Sequence, residues 1–412
     1  MAVQHEALSP ERFAAAREAI APVIQATPLV KSPHFSRLYG CRVYLKPENL
    51  QRTGSYKIRG ASARVALLSE AEAAHGLITA SAGNHAQGLA YAGRARGLDV
   101  TIVMPEATPL VKVNNTLAYG AHVILHGATF DDACAEALRL AEEGGQVFVH
   151  PFDDLDVACG QGTMVYEILE DLPETDVILV PVGGGGLATG VAVLAKQLKP
   201  DIRIIGVEPS GAASLAASLR VGHPITLPQL DTIADGVAVK HPGELLFPYL
   251  ERCLDGVVTV PDDRLVPVFL DMLEQHKLLV ENAGLLSLAA LRELDFPENT
   301  HVVAVLSGGN MDVITLSSLI QHGLIARNRI FTFSVLLPDK PGELERVAHV
   351  VAQARGNIIR LDHNQFVSIN RHAAVELKVT LEAFGPEHRS EIMQRLREAG
   401  FEAHVTLSTS IY

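Results

Sequence analysis

Four short turns in this sequence carry residues that could bind an anion or form a covalent bond. One turn contains Tyr56 and Lys57 at the start of a predicted helix. A lysine amine can form a Schiff base with a carbonyl compound and can then act as a general base. A single lysine is far more often a solvated surface charge. Its chemistry therefore depends on the other three turns, at residues 81–88, 183–186 and 307–310.

The four consecutive glycines Gly183, Gly184, Gly185 and Gly186 lie between a continuously apolar run and a helical repeat. Glycines expose backbone N–H groups, and a helix N-terminus favours negative charge, so this turn predicts a phosphate site. A tight turn that needs positive φ would account for one or two glycines but not for four in succession. The turn has neither the lysine of an ATP-binding P-loop nor a matched acidic partner for a dinucleotide. ATP and NAD are therefore disfavoured.

The turns at residues 81–88 and 307–310 each follow an apolar run and present small polar side chains. Ser81 and Asn84 offer a hydroxyl, an amide and nearby N–H groups to an anion such as a carboxylate. Ser307 places a hydroxyl at the end of another predicted strand. In both turns the alternative is an ordinary helix cap.

The patterns around these turns indicate the elements that position them. From residue 42 to residue 150, short apolar runs alternate with helical patterns, which indicates a wound α/β sheet. Apolar runs at 177–182 and 302–306 have the continuous character of buried parallel strands. We therefore predict an α/β region over residues 1–326, in two lobes, with the smaller lobe at about residues 45–150 inserted in the larger. The turns fall where strands end, which is where open α/β sheets bind ligands.

The pattern of apolar residues changes after residue 326. Alternating apolar residues from Phe331 to Leu337 indicate a half-buried strand, and Pro341 and Gly342 open a helix. Further strand and helix patterns complete the order βαββαβ. We therefore predict a small ferredoxin-like domain over residues 327–412.

The composition excludes some classes of partner. The chain has 412 residues and a net charge of -13, and it lacks the clustered lysines and arginines of a nucleic-acid binder. No apolar run reaches the roughly 18 residues that span a bilayer, and the first residues contain no signal sequence. Four cysteines without a C-x-x-C spacing favour reduced thiols over disulfides or zinc. We expect a cytoplasmic protein without a nucleic-acid or membrane partner.

Taken in order, the four turns resemble those of one enzyme family. The segments that begin at Ser55, Ser81, Gly183 and Ser307 are Ser-Tyr-Lys-Ile-Arg-Gly, Ser-Ala-Gly-Asn-His-Ala-Gln-Gly, Gly-Gly-Gly-Gly-Leu and Ser-Gly-Gly-Asn. They are similar to the segments of threonine dehydratase, also called threonine ammonia-lyase. This is a fold-type II pyridoxal-phosphate enzyme whose catalytic domain is like tryptophan synthase β. The resemblance covers essentially the whole chain, because the tail around residues 339–344 resembles a single ACT regulatory domain.

The resemblance implies a role for each turn. Lys57 would hold pyridoxal 5'-phosphate as a Schiff base and act as the catalytic base, with Tyr56 beside the cofactor. Asn84 would hydrogen-bond the phenolic oxygen of the cofactor, and Ser307 would meet its pyridine nitrogen. The cofactor phosphate would be bound by Gly183, Gly184, Gly185, Gly186 and Leu187. The substrate would be bound by Ser81, Asn84, His85 and Gly236.

The resemblance also implies a reaction and its control. L-Threonine would lose its α-proton to Lys57, expel hydroxide with acid help from the cofactor phosphate, and yield 2-oxobutanoate and ammonia. L-Serine would yield pyruvate. A serine gives the pyridine nitrogen no anionic partner, which favours prompt β-elimination over transamination. The ACT-like tail would bind isoleucine or valine through Gly342, Asn357 and Ile358. Because such domains are used in pairs, the resemblance also implies a homo-oligomer, most simply a tetramer.

Three alternative functions remain open at this point. Serine racemase shares most of these motifs, but Ala82 stands where its pattern has a second serine, and racemisation needs an acid on each face of the substrate. A 3-hydroxyaspartate dehydratase would need a cationic partner for the second carboxylate, and the sequence does not place one in the pocket. A non-catalytic amino-acid sensor would require the loss of a key residue, yet Lys57, Asn84 and Ser307 are all present.

Two positions depart from the family pattern. Asn282 follows Glu281 where relatives carry glycine or another small or rigid residue, which would alter the pocket beside Glu281. Ser214 stands where a cation-binding pattern carries aspartate, so Glu208 is the only carboxylate of its segment. A divalent site is therefore disfavoured, and we expect a monovalent cation or no ion at Glu208. The alternative is a loop carboxylate that is satisfied by its own surroundings.

Overall fold

The computed structural model describes residues 8–365 and 375–406. The chain forms two compact units that divide between Asp312 and Val313. The strands in chain order are β1 (Val30–Lys31), β2 (Arg42–Pro47), β3 (Leu77–Ala80), β4 (Val100–Met104), β5 (His122–Leu125), β6 (Val147–Phe148), β7 (Val177–Pro181), β8 (Arg203–Pro209), β9 (Gly256–Val260), β10 (His301–Leu306), β11 (Ile330–Leu337), β12 (Asn357–Asn364), β13 (Val375–Glu382) and β14 (His404–Thr406).

Helices connect most of these strands. The α-helices in chain order are α1 (Pro10–Ile20), α2 (Pro33–Tyr39), α3 (Lys57–Leu67), α4 (Glu70–Ala73), α5 (Asn84–Arg96), α6 (Leu110–Ala118), α7 (Phe130–Gly144), α8 (Leu155–Gly162), α9 (Met164–Asp171), α10 (Gly186–Leu198), α11 (Ser214–Val221), α12 (Phe247–Cys253), α13 (Leu265–Asp271), α14 (Asn282–Ala289), α15 (Val313–Ala326), α16 (Glu343–Gln353) and α17 (Pro386–Glu398). Single turns of 3-10 or π-helix occupy Glu48–Leu50, Ser210–Ala212, Asp235–Val237, Asp262–Arg264, Met272–His276 and Ala290–Arg292. In the described part of the chain, none of the helices is long and apolar enough to cross a membrane.

The large sheet of the N-terminal unit has the strand order β1-β2-β10-β7-β8-β9. Its neighbours are parallel except β1 and β2, which are antiparallel. Strands β7 and β10 are buried almost throughout. Burial on both faces explains why these two segments are continuously apolar in the sequence. Because β7 and β10 are parallel neighbours, the turns at residues 183–186 and 307–310 emerge side by side at one edge of the sheet.

A smaller sheet in the same unit has the strand order β5-β4-β3-β6, and all its neighbours are parallel. The chain leaves the large sheet after β2 and returns to it at β7, so this small lobe is inserted between them. Strand β3 is buried along its whole length and leads into the turn that starts α5. The carboxyl edge of the small sheet therefore carries Ser81 and Asn84.

The C-terminal unit contains a four-stranded antiparallel sheet with the order β12-β13-β11-β14. Helices α16 and α17 contribute Val347, Val351, Ile392 and Leu396 to a core with the buried side of the sheet. The chain order is βαββαβ, which is the ferredoxin-like order that the sequence predicts. Strands β12 and β14 form the two edges of the sheet.

The division between the units differs from the predicted boundary at residue 326. Helix α15 belongs to the C-terminal unit and not to the catalytic region. Only residues 327–329 separate α15 from β11, so the helix is tied closely to the sheet that follows it. The hydrophobic pattern gave no sign of this division, because α15 is about as apolar as α14, the α-helix before it.

Candidate active site

Lys57 is the first residue of α3, and its amine is set in a buried environment. Its Nζ donates a hydrogen bond to the carbonyl oxygen of Pro151 at 2.6 Å and lies 5.4 Å from the centre of the Tyr56 ring. Burial lowers the pKa of Lys57 to about 8, although the Glu281 carboxyl opposes this shift. A lower pKa leaves more of the amine neutral near pH 7, and the neutral amine is the form that attacks a carbonyl carbon.

The backbone before α3 is fixed to the turn that follows β10. The Tyr56 N–H donates to the Ser307 carbonyl oxygen at 3.0 Å, and Ser55 forms an isolated antiparallel bridge with Gly308. These contacts bring Lys57 and the buried Ser307 to the same place, although 250 residues separate them in the sequence.

The small lobe contributes Asn84 and His85 from the start of α5. Asn84 Nδ2 donates to Glu281 Oε1 at 2.8 Å, which joins the two lobes. His85 is buried, and its Nε2 lies 3.2 Å from the Val149 carbonyl oxygen. Burial and the nearby Lys57 lower the pKa of His85 to about 3, so its imidazole is neutral. Ser81 precedes them, and its Oγ accepts the Gly83 N–H at 3.3 Å.

The glycine turn has a backbone conformation and a close packing that residues with side chains could not adopt. Gly185 has φ of 101°, and a Cβ atom at Gly184 would lie 2.2 Å from the ring of Phe152. The turn ends where α10 begins at Gly186, so its N–H groups and the helix N-terminus form an anion site. Phe152 follows Pro151, which accepts the Lys57 hydrogen bond, so this turn lies close to the amine.

Two buried side chains at the site retain unused hydrogen-bonding atoms. His85 Nδ1 and both amide atoms of Gln161 have no hydrogen-bond partner among the described residues. Gln161 lies between α3 and α10, because Cβ atoms at Gly60 and Gly186 would each come within 3.0 Å of its amide. Buried polar atoms are normally paired, so these atoms mark a place where a polar group fits. Together with the anion site and the low-pKa amine, they fit a phosphorylated aldehyde.

Glu281 lies between Asn84 and Gly308 and was not predicted to act in the site. Burial, and then the Asp235 carboxylate, raise the pKa of Glu281 to about 8, so the group is protonated at neutral pH. A Cβ atom at Gly236 would lie 3.5 Å from Glu281 Oε1, which places Gly236 beside this carboxyl. The departure at Asn282 has a structural role, because its Nδ2 donates to the Ile233 carbonyl oxygen at 2.9 Å.

Comparisons with known proteins agree with this geometry. The family model described as "Pyridoxal-phosphate dependent enzyme" matches residues 20–308. The L-threonine ammonia-lyase of Geobacter sulfurreducens is 44% identical over 381 residues, which are 92% of this chain and 94% of that protein. This chain belongs to the pyridoxal-phosphate-dependent enzymes of the threonine ammonia-lyase family.

Solved structures of pyridoxal-phosphate family members share the fold. The processed form of threonine deaminase isoform 2 from Solanum lycopersicum matches with a TM-score of 0.72 and 39% identity, covering 76% of this chain and 87% of that one. Maize serine racemase matches with a TM-score of 0.71 and 35% identity, covering 77% and 98%. The fold alone therefore does not tell an enzyme that eliminates from one that racemises. Only the side chains at the site can distinguish the two reactions.

In this member of the threonine ammonia-lyase family, a buried network of ion pairs stabilises helix α3, which begins at Lys57. Arg59, two residues after Lys57, donates to Glu48 Oε2 at 2.8 Å and contacts Glu167 Oε1 at 2.7 Å. Lys46 contacts the other oxygen of Glu167, and the side chains of Arg59, Lys46 and Glu48 are fully buried. Sequence reasoning missed this network, because Glu48 and Glu167 are far apart in the chain and neither belongs to a motif.

The predicted cation site at Glu208 is not supported. Its two carboxylate oxygens accept the backbone N–H groups of Leu215 and Ala216, each at 2.8 Å, at the start of α11. Burial raises the pKa of Glu208 to about 7, although these two hydrogen bonds oppose the shift. In the described part of the chain no group of three or more His, Cys, Asp or Glu residues could hold a metal ion. Glu208, near the end of β8, is therefore a carboxylate whose two oxygens are bound by backbone N–H groups.

The predicted effector residues lie at opposite ends of the C-terminal sheet. Gly342 lines a cavity of about 350 Å³ together with His363 and Val375. Asn357 and Ile358 instead begin β12, where Asn357 pairs with Glu382. Six residues separate Asn357 from His363, which is about 20 Å along a strand. Within one chain, Gly342 therefore lies far from Asn357 and Ile358, and the binding of an effector by these three residues stays a prediction.

The Lys57 pKa predicts how cofactor capture depends on pH. The rate at which cofactor-free protein takes up pyridoxal phosphate should rise with pH and level off above about pH 8, because only the neutral amine attacks the aldehyde. An ordinary lysine, with a pKa near 10.4, would give a rate that keeps rising to about pH 10. Stopped-flow absorbance across this range measures the profile. A midpoint near 10 would contradict the assignment of a buried, low-pKa amine.

Proposed function

We propose that this protein eliminates water from L-threonine and releases 2-oxobutanoate and ammonia, with L-serine as a second substrate that gives pyruvate. One observation carries the proposal: the low-pKa amine of Lys57 is fixed beside Ser307 and the glycine turn, with Ala82 in the neighbouring small-lobe turn. This arrangement supplies a base and a neutral serine hydroxyl. Ala82 supplies no second acid.

The residues present fit pyridoxal phosphate. The backbone N–H groups of Gly183, Gly184, Gly185 and Gly186 and of Leu187 would bind its phosphate. Asn84 would hydrogen-bond its phenolic oxygen, Ser307 would face its ring nitrogen, and Tyr56 would lie beside it. When bound, the cofactor supplies the electron sink that makes the α-proton of an amino acid acidic.

Lys57 takes the α-proton in the proposed reaction. Its Nζ is held by the Pro151 carbonyl oxygen, so the amine can turn from its covalent role to that of a general base without leaving the site. The electron pair of the broken Cα–H bond then forms the Cα–Cβ double bond as the Cβ–O bond breaks, and the hydroxyl leaves as water with a proton that the cofactor phosphate would donate and that Lys57 would restore. Hydrolysis of the released enamine returns one water and frees ammonia. The balance is therefore threonine to 2-oxobutanoate plus ammonia.

The small-lobe turn would bind the substrate carboxylate. Ser81 and the backbone N–H groups around Asn84 and His85 lie at the N-terminus of α5, where an anion is favoured. The neutral His85 adds no charge at this place. Gly236 would keep the side of Glu281 open, because a methyl group there would lie 3.1 Å from Ala283 Cβ and 3.5 Å from the carboxyl oxygen.

An assay of 2-oxo acid release from a panel of hydroxy amino acids tests this proposal. We expect release from L-threonine and L-serine, and no accumulation of the D-enantiomer in chiral chromatography, because Ala82 cannot protonate the second face of the substrate. The matched variant Ala82→Ser, which restores a hydroxyl there, should produce measurable D-serine. Rapid D-serine formation by the unaltered protein would favour a racemase, and release from 3-hydroxyaspartate alone would favour the dicarboxylate alternative.

For the C-terminal unit we propose an ACT domain that binds isoleucine or valine. The cavity at Gly342 combines apolar walls, from Leu337, Leu344 and Val375, with the charged side chains of Lys340 and Glu343. Apolar walls suit a branched side chain, and the charged side chains, which also include Asp339, offer both signs of charge to the carboxylate and ammonium groups of an amino acid. The cavity size of about 350 Å³ is enough for such a ligand.

The same unit supports a homo-oligomer, for which we propose a tetramer. Strand β12 is an edge of its sheet, and edge strands pair readily with a second copy. If two copies pair through β12 in antiparallel fashion, the Asn357 end of one strand meets the His363 end of the other. Asn357 and Ile358 of one copy would then lie beside the Gly342 cavity of the second copy. An effector site shared between chains would follow from such a pairing.

Calorimetry on the full chain tests effector binding. We expect isoleucine or valine to bind, and Gly342→Val to weaken binding by about tenfold or more, because its side chain enters the cavity. Gly222→Val is a matched control, since Gly222 and Gly342 both have positive φ and open space at Cβ, but Gly222 lies in the N-terminal unit. Equal loss in the two variants, or no binding to the unaltered protein, would contradict the proposal.

A further inference from the structure

Three residues form a ring of polar contacts where the two lobes of the catalytic unit meet, and two side-chain hydrogen bonds join them. Asn310 Nδ2 donates to Asn84 Oδ1 at 2.8 Å, and Asn84 Nδ2 donates to Glu281 Oε1 at 2.8 Å. The backbone N–H of Asn310 also faces the Glu281 carboxyl and lowers its pKa, so the three residues are arranged in a ring. Asn84 comes from the small lobe, whereas Glu281 and Asn310 come from the large lobe. Neither Asn310 nor Glu281 has a role in the proposed chemistry so far.

The direction of these hydrogen bonds is fixed by one backbone carbonyl. Asn310 Nδ2 also donates to the Thr53 carbonyl oxygen at 2.7 Å. A backbone carbonyl can only accept, so the nitrogen of the Asn310 amide must face it. The same nitrogen faces Asn84, so Asn84 must present its oxygen to Asn310 and its nitrogen to Glu281. An inverted Asn84 amide would bring two donors together on one side.

Two glycines leave the space that this ring occupies. A Cβ atom at Gly54 would lie 2.3 Å from Asn310 Oδ1, and one at Gly308 would lie 2.4 Å from Glu281 Oε1. Gly54 also has φ of 73°, a conformation that other residues rarely adopt. Both glycines belong to turns that surround Lys57, so the backbone of the site is shaped around Asn310 and Glu281.

We propose that Asn310 and Glu281 are positioning residues that hold the Asn84 amide in one orientation, so that Asn84 offers an N–H and not a carbonyl oxygen to the phenolic oxygen of pyridoxal phosphate. This inference rests on the proposed function. Asn84 Nδ2 has two hydrogens, and the ring uses one of them for Glu281. The second hydrogen is the donor that the phenolic oxygen of the cofactor needs. If the Asn84 amide were inverted, Asn84 Oδ1 would face the phenolic oxygen, and two acceptors would repel each other.

Variants of Asn310 separate positioning from simple packing. Asn310→Ala removes the donor, and we expect cofactor-free protein to bind pyridoxal phosphate about tenfold more weakly, with a shifted absorption maximum of the bound cofactor. Asn310→Asp keeps the volume but turns an oxygen towards Asn84 Oδ1, so it should weaken binding further, by about a hundredfold. The control Asn299→Ala, at an exposed asparagine bonded to Arg42, should leave both values unchanged.

A double variant tests whether Asn310 acts through Asn84. If it does, Asn84→Ala and the pair Asn84→Ala with Asn310→Ala should have the same affinity for pyridoxal phosphate and the same absorption maximum. Glu281→Ala, which opens the other side of the ring, should reproduce the shift of Asn310→Ala. These comparisons need no turnover, and Glu281→Ala keeps the inference testable if a variant of Asn310 does not fold.

The outcomes distinguish this inference from the proposed function. If the unaltered protein bound pyridoxal phosphate but Asn310→Asp and Glu281→Ala matched it in affinity and absorption maximum, the positioning role would be overturned and the proposed function would stand. Additive losses in the double variant would also overturn it. If the unaltered protein bound no pyridoxal phosphate at all, the proposed function itself would fail.

Discussion

Replacing Lys57 with alanine is expected to remove the Schiff-base absorbance of the protein with pyridoxal phosphate and to lower turnover by about 10⁴-fold. The variant loses both the amine that binds the cofactor covalently and the base that removes the α-proton. The Pro151 carbonyl oxygen and the glycine turn remain, so the cofactor phosphate can still bind non-covalently. An absorbance titration and a 2-oxo acid assay measure the two effects separately.

Lys31→Ala is a matched control, because Lys31 is an exposed lysine in β1 and its loss should change neither absorbance nor turnover. Reduction with borohydride gives a direct chemical test. It should fix the cofactor on Lys57 and block tryptic cleavage there, so that a single modified peptide spans residues 53–59 between Arg52 and Arg59. A modified peptide from another part of the chain, or colour and full turnover in Lys57→Ala, would refute the assignment.

The role of Lys57 could be predicted from the sequence because the turns around it follow strands that are recognisable as short apolar runs. Strands β3, β7 and β10 are buried parallel strands, so each is a continuous apolar run that ends in a readable turn. Parallel strands also end at one edge of a sheet, so the turns after them converge. That geometric rule places Ser307 and the glycine turn at the same edge of the sheet even before the pairing of β7 with β10 is known.

The partners of buried polar groups could not be predicted in this way. Glu281 and Asn310 stood within or beside quoted motifs, yet nothing in the sequence indicates that both bind Asn84, because that contact depends on how the lobes meet. Strand direction was a second gap. Gly342 and Asn357 are fifteen residues apart, but helix α16 between them carries Asn357 to the far end of the sheet.

Arg59→Ala is expected to lower the free energy of unfolding of the N-terminal unit by about 3–5 kcal/mol at neutral pH. Arg59 is fully buried and binds Glu48 through two nitrogens, each at 2.8 Å. Its loss leaves that buried carboxylate with Thr27 and the more distant Lys46 as its side-chain partners among the described residues. Because Arg59 is in the first turn of α3, the site at Lys57 should loosen as well. Urea unfolding at matched protein concentration measures the change.

The pH dependence of this loss has a definite sign. Burial alone would raise the pKa of Glu167, but Arg59 and Lys46 lower it to about 2, below its ordinary value of 4.5. The stabilisation from this group is therefore complete above pH 4.5 and is lost as the pH falls towards 2. The difference between Arg59→Ala and the unaltered protein should accordingly be largest at neutral pH and should shrink below about pH 4.5.

Arg139→Ala supplies the control, because Arg139 pairs with Glu136 and Glu143 on the exposed side of α7. Surface pairs of this kind contribute less than about 1 kcal/mol, and salt weakens them. If Arg59→Ala cost no more than Arg139→Ala, the buried network would not be what holds α3 in place. A large cost that persisted unchanged at pH 3 would instead assign the effect to lost packing of the arginine side chain and not to its charge.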